Sequence, residues 1–166
     1  MQVFQATATD TAEILAFVRA KAEFDRQLGA FTGDLGTTEE LIRRHLFGQR
    51  PVAFALLAGE PGRAIGFALY YCRYSSFRGR PSIWLDDLFV YPPDRRNGAG
   101  RLLMCRLAEL AVTADCTHIG WVASASNTVG MNFYHRIGAT VVHQADDAVT
   151  LQIEPDRLLA TTRSVD

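Results

Sequence analysis

The stretch that most limits the possible folds is residues 83–101, IWLDDLFVYPPDRRNGAGR, in which a strand pattern gives way to a basic turn. Pro92 and Pro93 end the strand, because proline has no N–H and cannot continue a central strand. Leucines at helical spacing follow over residues 98–114 and predict a long amphipathic helix. A strand, a tight turn and a helix in immediate succession are typical of a mixed α/β domain.

The turn itself, with Gly98 and Gly100, has the composition of a phosphate-binding loop. Backbone N–H groups at a helix N-terminus lack intrahelical acceptors, and glycine lets an anion approach them closely. Arg95, Arg96 and Arg101 add positive charge at the same place. The sequence therefore indicates an anion site, and the competing interpretation is a glycine-rich connection that binds nothing.

Known phosphate-binding patterns can be compared with this turn. A P-loop requires GxxxxGK[ST], and no lysine follows the glycines here. A dinucleotide fingerprint requires GxGxxG, and Leu103 stands at its third glycine position. The remaining pattern, [RQ]xxGxG, is matched by Arg95, Gly98 and Gly100. It resembles the acetyl-CoA pyrophosphate loop of the GCN5-related N-acetyltransferase (GNAT) superfamily.

A second motif lies at residues 127–139, NTVGMNFYHRIGA, after a strand predicted for residues 118–123. It contains Asn127, Gly130, Phe133-Tyr134 and Gly138. This segment resembles the corresponding one of the same superfamily. There a strand is followed by an asparagine, a small residue three positions later, an aromatic–tyrosine pair and a glycine. The resemblance thus covers nearly the whole chain, with both motifs in the expected order.

Shorter segments resemble the diamine acetyltransferase branch, which includes the spermidine/spermine and thialysine types. They are residues 22–25 (AEFD), 66–71 (GFALYY), 84–90 (WLDDLFV) and 132–134 (NFY). The resemblance implies a single N-acetyltransferase domain over residues 1–166, with acetyl-CoA wedged between the fourth and fifth strands of a splayed sheet. It also implies a homodimer.

Hydrophobic patterning along the rest of the chain predicts the element order βααβββαβαββ. This is an α/β fold of the α+β type, with a mixed, mostly antiparallel central sheet and helices on both faces. An antiparallel meander is predicted by the strand patterns at residues 52–57, 64–74 and 82–90. A final hairpin is predicted by the strand patterns at residues 139–143 and 148–153.

Capping patterns locate the first two helices. Asp10-x-x-Glu13 and Thr37-x-x-Glu40 both read as capping boxes, and Gly48 is predicted to end the second helix. At the other end of the chain, residues 161–166 are predicted to be frayed.

Composition excludes several classes of function. The 166 residues carry a formal net charge of −1, which gives no general attraction to nucleic acid. No apolar run approaches the roughly 20 residues of a membrane span, and the start MQVFQATATD does not resemble a secretory signal. The odd set Cys72, Cys105 and Cys116 contains no CxxC and fits a reducing cytoplasm. The histidines lack metal-ligand spacing, so no metal is expected.

The resemblance also implies residue roles. Asp86 is the candidate base that deprotonates the acceptor amine, through a water, although Asp87 on the opposite strand face is an alternative. Tyr134 is the candidate acid for the departing thiolate. Acetyl-CoA would be bound by Leu88, Phe89, Val90, Arg95, Arg96, Asn97, Gly98, Ala99, Gly100, Arg101, Asn127, Gly130 and Tyr134. Substrate would be bound by Phe24, Asp25 and Asp86.

One loop departs from the diamine branch, which has an acidic residue and a tryptophan after its Tyr-Tyr strand. Here Arg73 precedes the loop, and Arg78 and Arg80 lie within it. These arginines favour an acceptor with a carboxylate beside its amine; alternatively they face solvent. The predicted function is acetyl-CoA-dependent N-acetylation of a small primary amine (polyamine, thialysine or amino-acid-like) by direct transfer. The alternatives are a protein or peptide N-acetyltransferase and a non-catalytic acyl-CoA-binding sensor.

Overall fold

The computed structural model describes residues 1–163 and consists of seven strands and five α-helices within that range. The strands are β1 Gln2–Gln5, β2 Phe54–Glu60, β3 Arg63–Ser75, β4 Arg80–Val90, β5 Ile119–Ser124, β6 Thr140–Ala145 and β7 Ala148–Ile153. The helices are α1 Thr11–Gln27, α2 Glu39–Phe47, α3 Ala99–Thr113, α4 Thr128–Arg136 and α5 Pro155–Arg163. None of the helices in the described range combines the length and apolarity needed to cross a membrane.

The sheet has the strand order β1-β2-β3-β4-β5-β7-β6. The β1–β2, β2–β3, β5–β7 and β6–β7 pairs are antiparallel. The β4–β5 pair is parallel, with Ile83 opposite Ile119 and Trp84 opposite Gly120. The prediction of a mixed, mostly antiparallel sheet is therefore confirmed.

Contacts within the chain divide it into two compact units. The first unit comprises Met1–Tyr71 and Asp87–Leu103, and its core includes Phe17, which stacks on Phe67 and Tyr91 with ring centroids 5.1 and 4.7 Å apart. The second unit comprises Cys72–Asp86 and the chain from Met104 onward. Its buried side chains include Leu107, Trp121 and Leu151.

Neither predicted capping box has the predicted partners in the structure. The box at the chain start joins Thr7 and Asp10, since the Thr7 N–H donates to Asp10 Oδ2 at 2.8 Å before a short 3₁₀ turn leads into α1. Glu13 instead accepts the Ala64 N–H at 2.7 Å. In α2 the N-cap is Thr38, not Thr37, and Thr38 Oγ1 accepts the Leu41 N–H at 3.2 Å. Asp10 is the N-cap of α1, as predicted, although its side chain makes no capping hydrogen bond to that helix. The N-cap prediction for α2 was wrong by one residue, because Thr37 and Thr38 offer equivalent local patterns.

The fifth helix was not predicted from the sequence. α5 begins at Pro155, a favourable first helical residue, and buries Leu158 completely. The fraying predicted for residues 161–166 is wrong for the last turn of this helix, and residues 164–166 lie outside the described residues.

Candidate functional site

The glycine turn before α3 leaves a helix N-terminus open to solvent. The Gly98 carbonyl accepts the Leu102 N–H at 3.0 Å, so the first helical residue is Ala99. Arg96 and Gly98 have positive φ values of 68° and 92°, and a Cβ added at Gly98 would meet nothing within 4 Å. Because the first N–H groups of a helix have no intrahelical acceptor, this concave backbone suits an anion.

The two arginines at the start of the turn have different surroundings. Arg95 Nε donates to the Val90 carbonyl at 3.0 Å, and its guanidinium lies 4.9 Å from the Phe24 ring centroid and 5.6 Å from that of Phe89. Burial lowers the pKa of Arg95 from its ordinary value. Arg96 is exposed. Arg95 therefore braces the turn against the end of β4, whereas Arg96 offers its charge to solvent.

The end of β4 packs tightly against a glycine of β3. A Cβ added at Gly66 would lie 3.0 Å from Val90 Cγ2 and 3.1 Å from the Phe89 carbonyl oxygen. Phe89 is buried, while Leu88 and Val90 are half-buried. Gly66 thus allows the close approach of β3 that fixes the backbone of residues 88–90.

Two of the predicted acidic residues share the chain's only lysine. Lys21 Nζ bonds Asp25 Oδ2 within α1 and lies 3.7 Å from Asp87 Oδ1. These three side chains are 20–24% exposed, so they are partly shielded from water. Sequence reasoning did not assign Lys21 to the site, although its four-residue spacing from Asp25 is a signal for an ion pair.

Asp86 belongs to the second unit, and its surroundings differ from those of Asp87. Asp86 is exposed, whereas the preceding Leu85 is 2% exposed. Two positions before Asp86, Trp84 contacts Arg73, whose guanidinium carbon lies 4.6 Å from the centroid of the Trp84 ring. The candidate base is therefore accessible to water, which suits the water-mediated deprotonation that was predicted for it.

The start of α4 is capped by its own side chain. Asn127 Oδ1 accepts the Gly130 N–H at 3.0 Å. A Cβ added at Gly130 would lie 2.5 Å from Asn127 Nδ2, so a larger residue would push the cap aside. Tyr134 lies two turns further along, is 8% exposed, and has ring centroids 5.0 Å from Trp121 and 5.5 Å from Phe133.

An aspartate that the sequence did not indicate holds the loop before α4. Asp147, in the β6–β7 turn, accepts hydrogen bonds from the Ser124 hydroxyl and from both the N–H and the hydroxyl of Ser126, the last two at 2.9 and 2.8 Å. The Ser124 bond and then the two Ser126 bonds lower the pKa of Asp147. Its carbonyl also accepts the Ala125 N–H at 2.7 Å.

The predicted site residues are divided between the two units. The first unit contains Phe24, Asp25, Leu88, Phe89, Val90, Arg95, Arg96, Asn97, Gly98, Ala99, Gly100 and Arg101. The second contains Asp86, Asn127, Gly130 and Tyr134. Within residues 1–163, no three His, Cys, Asp or Glu side chains form a group that could hold a metal ion.

Comparison with known proteins gives concordant matches. The sequence model described as "Acetyltransferase (GNAT) family" matches residues 22–139. Thialysine N-epsilon-acetyltransferase of Bos taurus is 29% identical over 154 residues, covering 88% of each chain. L-ornithine N5-acetyltransferase of Arabidopsis thaliana is 34% identical over 76 residues, 46% of this chain and 33% of its own.

Solved structures agree on the fold. The PaiA N-acetyltransferase of Thermoplasma acidophilum, crystallised in complex with coenzyme A, superposes with a TM-score of 0.67. The alignment covers 92% of this chain and 98% of that protein at 13% sequence identity, a level at which the likeness is one of fold.

Proposed function

Since the chain belongs to the GNAT acetyltransferase family and is an acyltransferase, we propose that it transfers an acetyl group from acetyl-CoA to the primary amine of a small molecule. The observation that carries this proposal is the open turn before α3. Positive φ at Arg96 and Gly98, with free space beside Gly98, fits a pyrophosphate bound by backbone N–H groups. A fold neighbour that binds coenzyme A supports this assignment.

The proposed donor site uses mostly backbone. Residues 96–101 hold the pyrophosphate, and residues 88–90 pair with the pantetheine arm as an added strand would. In this assignment Arg95 acts mainly by bracing the turn through its bond to Val90. The family resemblance also implies acetyl-CoA-binding roles for Asn127, Gly130 and Tyr134.

The reaction requires a free amine, a polarised carbonyl and a stabilised thiolate. Bound acetyl-CoA supplies the acetyl thioester. Asp86 receives the proton of the acceptor ammonium through water, and its exposure gives that proton a route to solvent. The Val90 N–H polarises the carbonyl oxygen. Tyr134 holds a proton at Oη and donates a hydrogen bond to the sulfur that leaves.

We propose direct transfer within a ternary complex, because none of the proposed site residues is a cysteine. Cys72 is exposed, Cys105 is half-buried within α3, and Cys116 is buried. We further propose that residues 1–166 act as one cytoplasmic domain in a homodimer. The exposed Val141 and Val142 of the edge strand β6, 46% and 50% exposed, support an interface with a second copy.

The acceptor class is proposed from the relatives' names. One relative is named for thialysine and another for ornithine, and both names describe acetylation of an amine. A small amine is therefore proposed ahead of a protein or peptide.

The test is release of free CoA from acetyl-CoA with a panel of amines: putrescine, spermidine, thialysine, lysine, ornithine and a peptide N-terminus. At least one small amine should accelerate release. Tyr134→Phe retains the ring contacts but should lower kcat about 100-fold, with the Kd for acetyl-CoA unchanged. Tyr70→Phe, which removes the hydroxyl of another buried tyrosine, is the control and should retain kcat. If no amine accelerates release, the proposed reaction is wrong.

A further inference from the structure

Three acidic side chains of the first unit, Glu23, Asp25 and Asp87, already lie against cations of the chain. Lys21 bonds Asp25 and lies 3.7 Å from Asp87. Glu23 Oε2 lies 3.7 Å from Arg26 Nη1. A polyamine, which carries several positive charges and no negative one, would have to compete with these internal cations for each carboxylate.

Asp86 differs from these three acidic side chains. It lies in the second unit and has no ion-pair partner among the residues that the structure describes. It can therefore receive one ammonium group without displacing a cation of the chain.

A guanidinium shares the strand face of Asp86. Trp84 and Asp86 are two positions apart on β4, so their side chains project from the same face, with Cα atoms roughly 7 Å apart. The Arg73 guanidinium carbon lies 4.6 Å from the Trp84 ring centroid and is therefore on that face as well. Contact with an aromatic ring orients the planar fork of an arginine and leaves its edge available for a carboxylate.

The charge of Arg73 is not neutralised by an acidic side chain within residues 1–163. Arg80, by contrast, is paired with Asp115, to which it donates at 2.5 Å. Burial, followed by the charges of Arg78 and Arg73, lowers the pKa of His118, so the charges of both guanidinium groups act on that ring. The second unit thus presents one free carboxylate and one free guanidinium on a single strand face.

We propose that the acceptor is an amino acid with a second amine, whose carboxylate is bound by Arg73 and whose reacting amine is at Asp86. This inference rests on the proposed acetyl transfer and narrows its substrate class. A polyamine lacks the carboxylate and would bring another positive charge toward Arg73. Arg73, on β3, is accordingly a specificity-determining residue for the acceptor.

The experiment compares L-ornithine with putrescine, which differ only by the carboxylate. In the wild-type protein, kcat/KM for ornithine should exceed that for putrescine about tenfold or more, as expected for one charge-assisted contact. Arg73→Gln should remove that preference by raising KM for ornithine, with little change for putrescine. Arg73→Lys, which keeps the charge, should recover part of it.

Two further measurements make the test specific. Arg63→Gln, which changes an exposed arginine at the opposite end of β3, is the matched control and should leave the ornithine-to-putrescine ratio unchanged. Calorimetric binding of each amine to the CoA-saturated protein should show the same Arg73-dependent preference without turnover. Equal use of both amines, or a ratio unaffected by Arg73→Gln, overturns this inference while the transferase proposal stands. Absence of acetylation of any amine overturns both.

Discussion

Two helix starts, those of α3 and α4, follow strands of the same sheet but satisfy their backbone N–H groups in opposite ways. At α4 the chain uses its own side chains: Asn127 caps Gly130, and Asp147 holds the two preceding serines. At α3 the turn has glycines, positive φ values and open space beside Gly98. The difference agrees with our proposal that the α3 start binds an external anion, whereas side chains of the protein itself cap and hold the α4 start.

The largest effect is expected at the open start. Gly98→Glu places a negative side chain where the pyrophosphate is proposed to bind, and should weaken acetyl-CoA binding about 100-fold or more because like charges repel. Calorimetry with acetyl-CoA measures this directly. Gly62→Glu is the control, since Gly62 also has positive φ (75°) and nothing within 4 Å of an added Cβ. If both variants lost affinity for acetyl-CoA equally, backbone strain would explain the loss. The proposal that the α3 start binds an anion and the α4 start does not would then be contradicted.

A smaller effect is expected at the capped start. Asn127→Ala should cost about 1 kcal/mol of unfolding free energy through loss of the cap. Thr38→Ala removes the corresponding cap of α2 and should cost a similar amount in urea unfolding. If Asn127 also contacts acetyl-CoA, only Asn127→Ala should weaken donor binding, by about fivefold for one lost hydrogen bond. Unchanged affinity would confine Asn127 to capping.

The smallest effect is expected in the pH dependence of stability, through the hydrogen bonds that Asp147 accepts from the loop before α4. Its pKa is lowered from 3.8 by hydrogen bonds in the folded state, so the stabilisation is complete above that value and is lost as pH falls through the lower folded pKa. Asp147→Asn should lower the urea midpoint at neutral pH, and the difference from wild type should shrink in acid. Asp146→Asn changes the neighbouring turn residue and should show no such pH dependence. A constant difference across pH would contradict the role assigned to the carboxylate.

Sequence reasoning predicted the features that depend on local pattern. The order of the first eleven elements and the glycine turn before α3 follow from periodicity, prolines and glycines that act within a few residues. The fifth helix was missed because its burial of Leu158 depends on tertiary packing rather than on a long periodic pattern.

The side-chain networks of the site were less predictable. Asp87 meets Lys21 only because β4 passes beside α1, and Asp147 meets Ser126 across 21 positions of sequence. Arg95 could be assigned to the turn from its motif, but its contact with Phe24 required the folded chain. Pairings between distant positions follow from topology, which a single sequence specifies only indirectly.

The position of Arg95 has a thermodynamic consequence. Its guanidinium contacts Val90, in the segment proposed to hold the acyl donor, and Phe24, to which the family resemblance gives a role in acceptor binding. A ligand that orders either segment therefore changes the free energy of ordering the other. Such linkage is reciprocal, so we expect donor and acceptor to alter each other's affinity by the same factor, whichever arrives first.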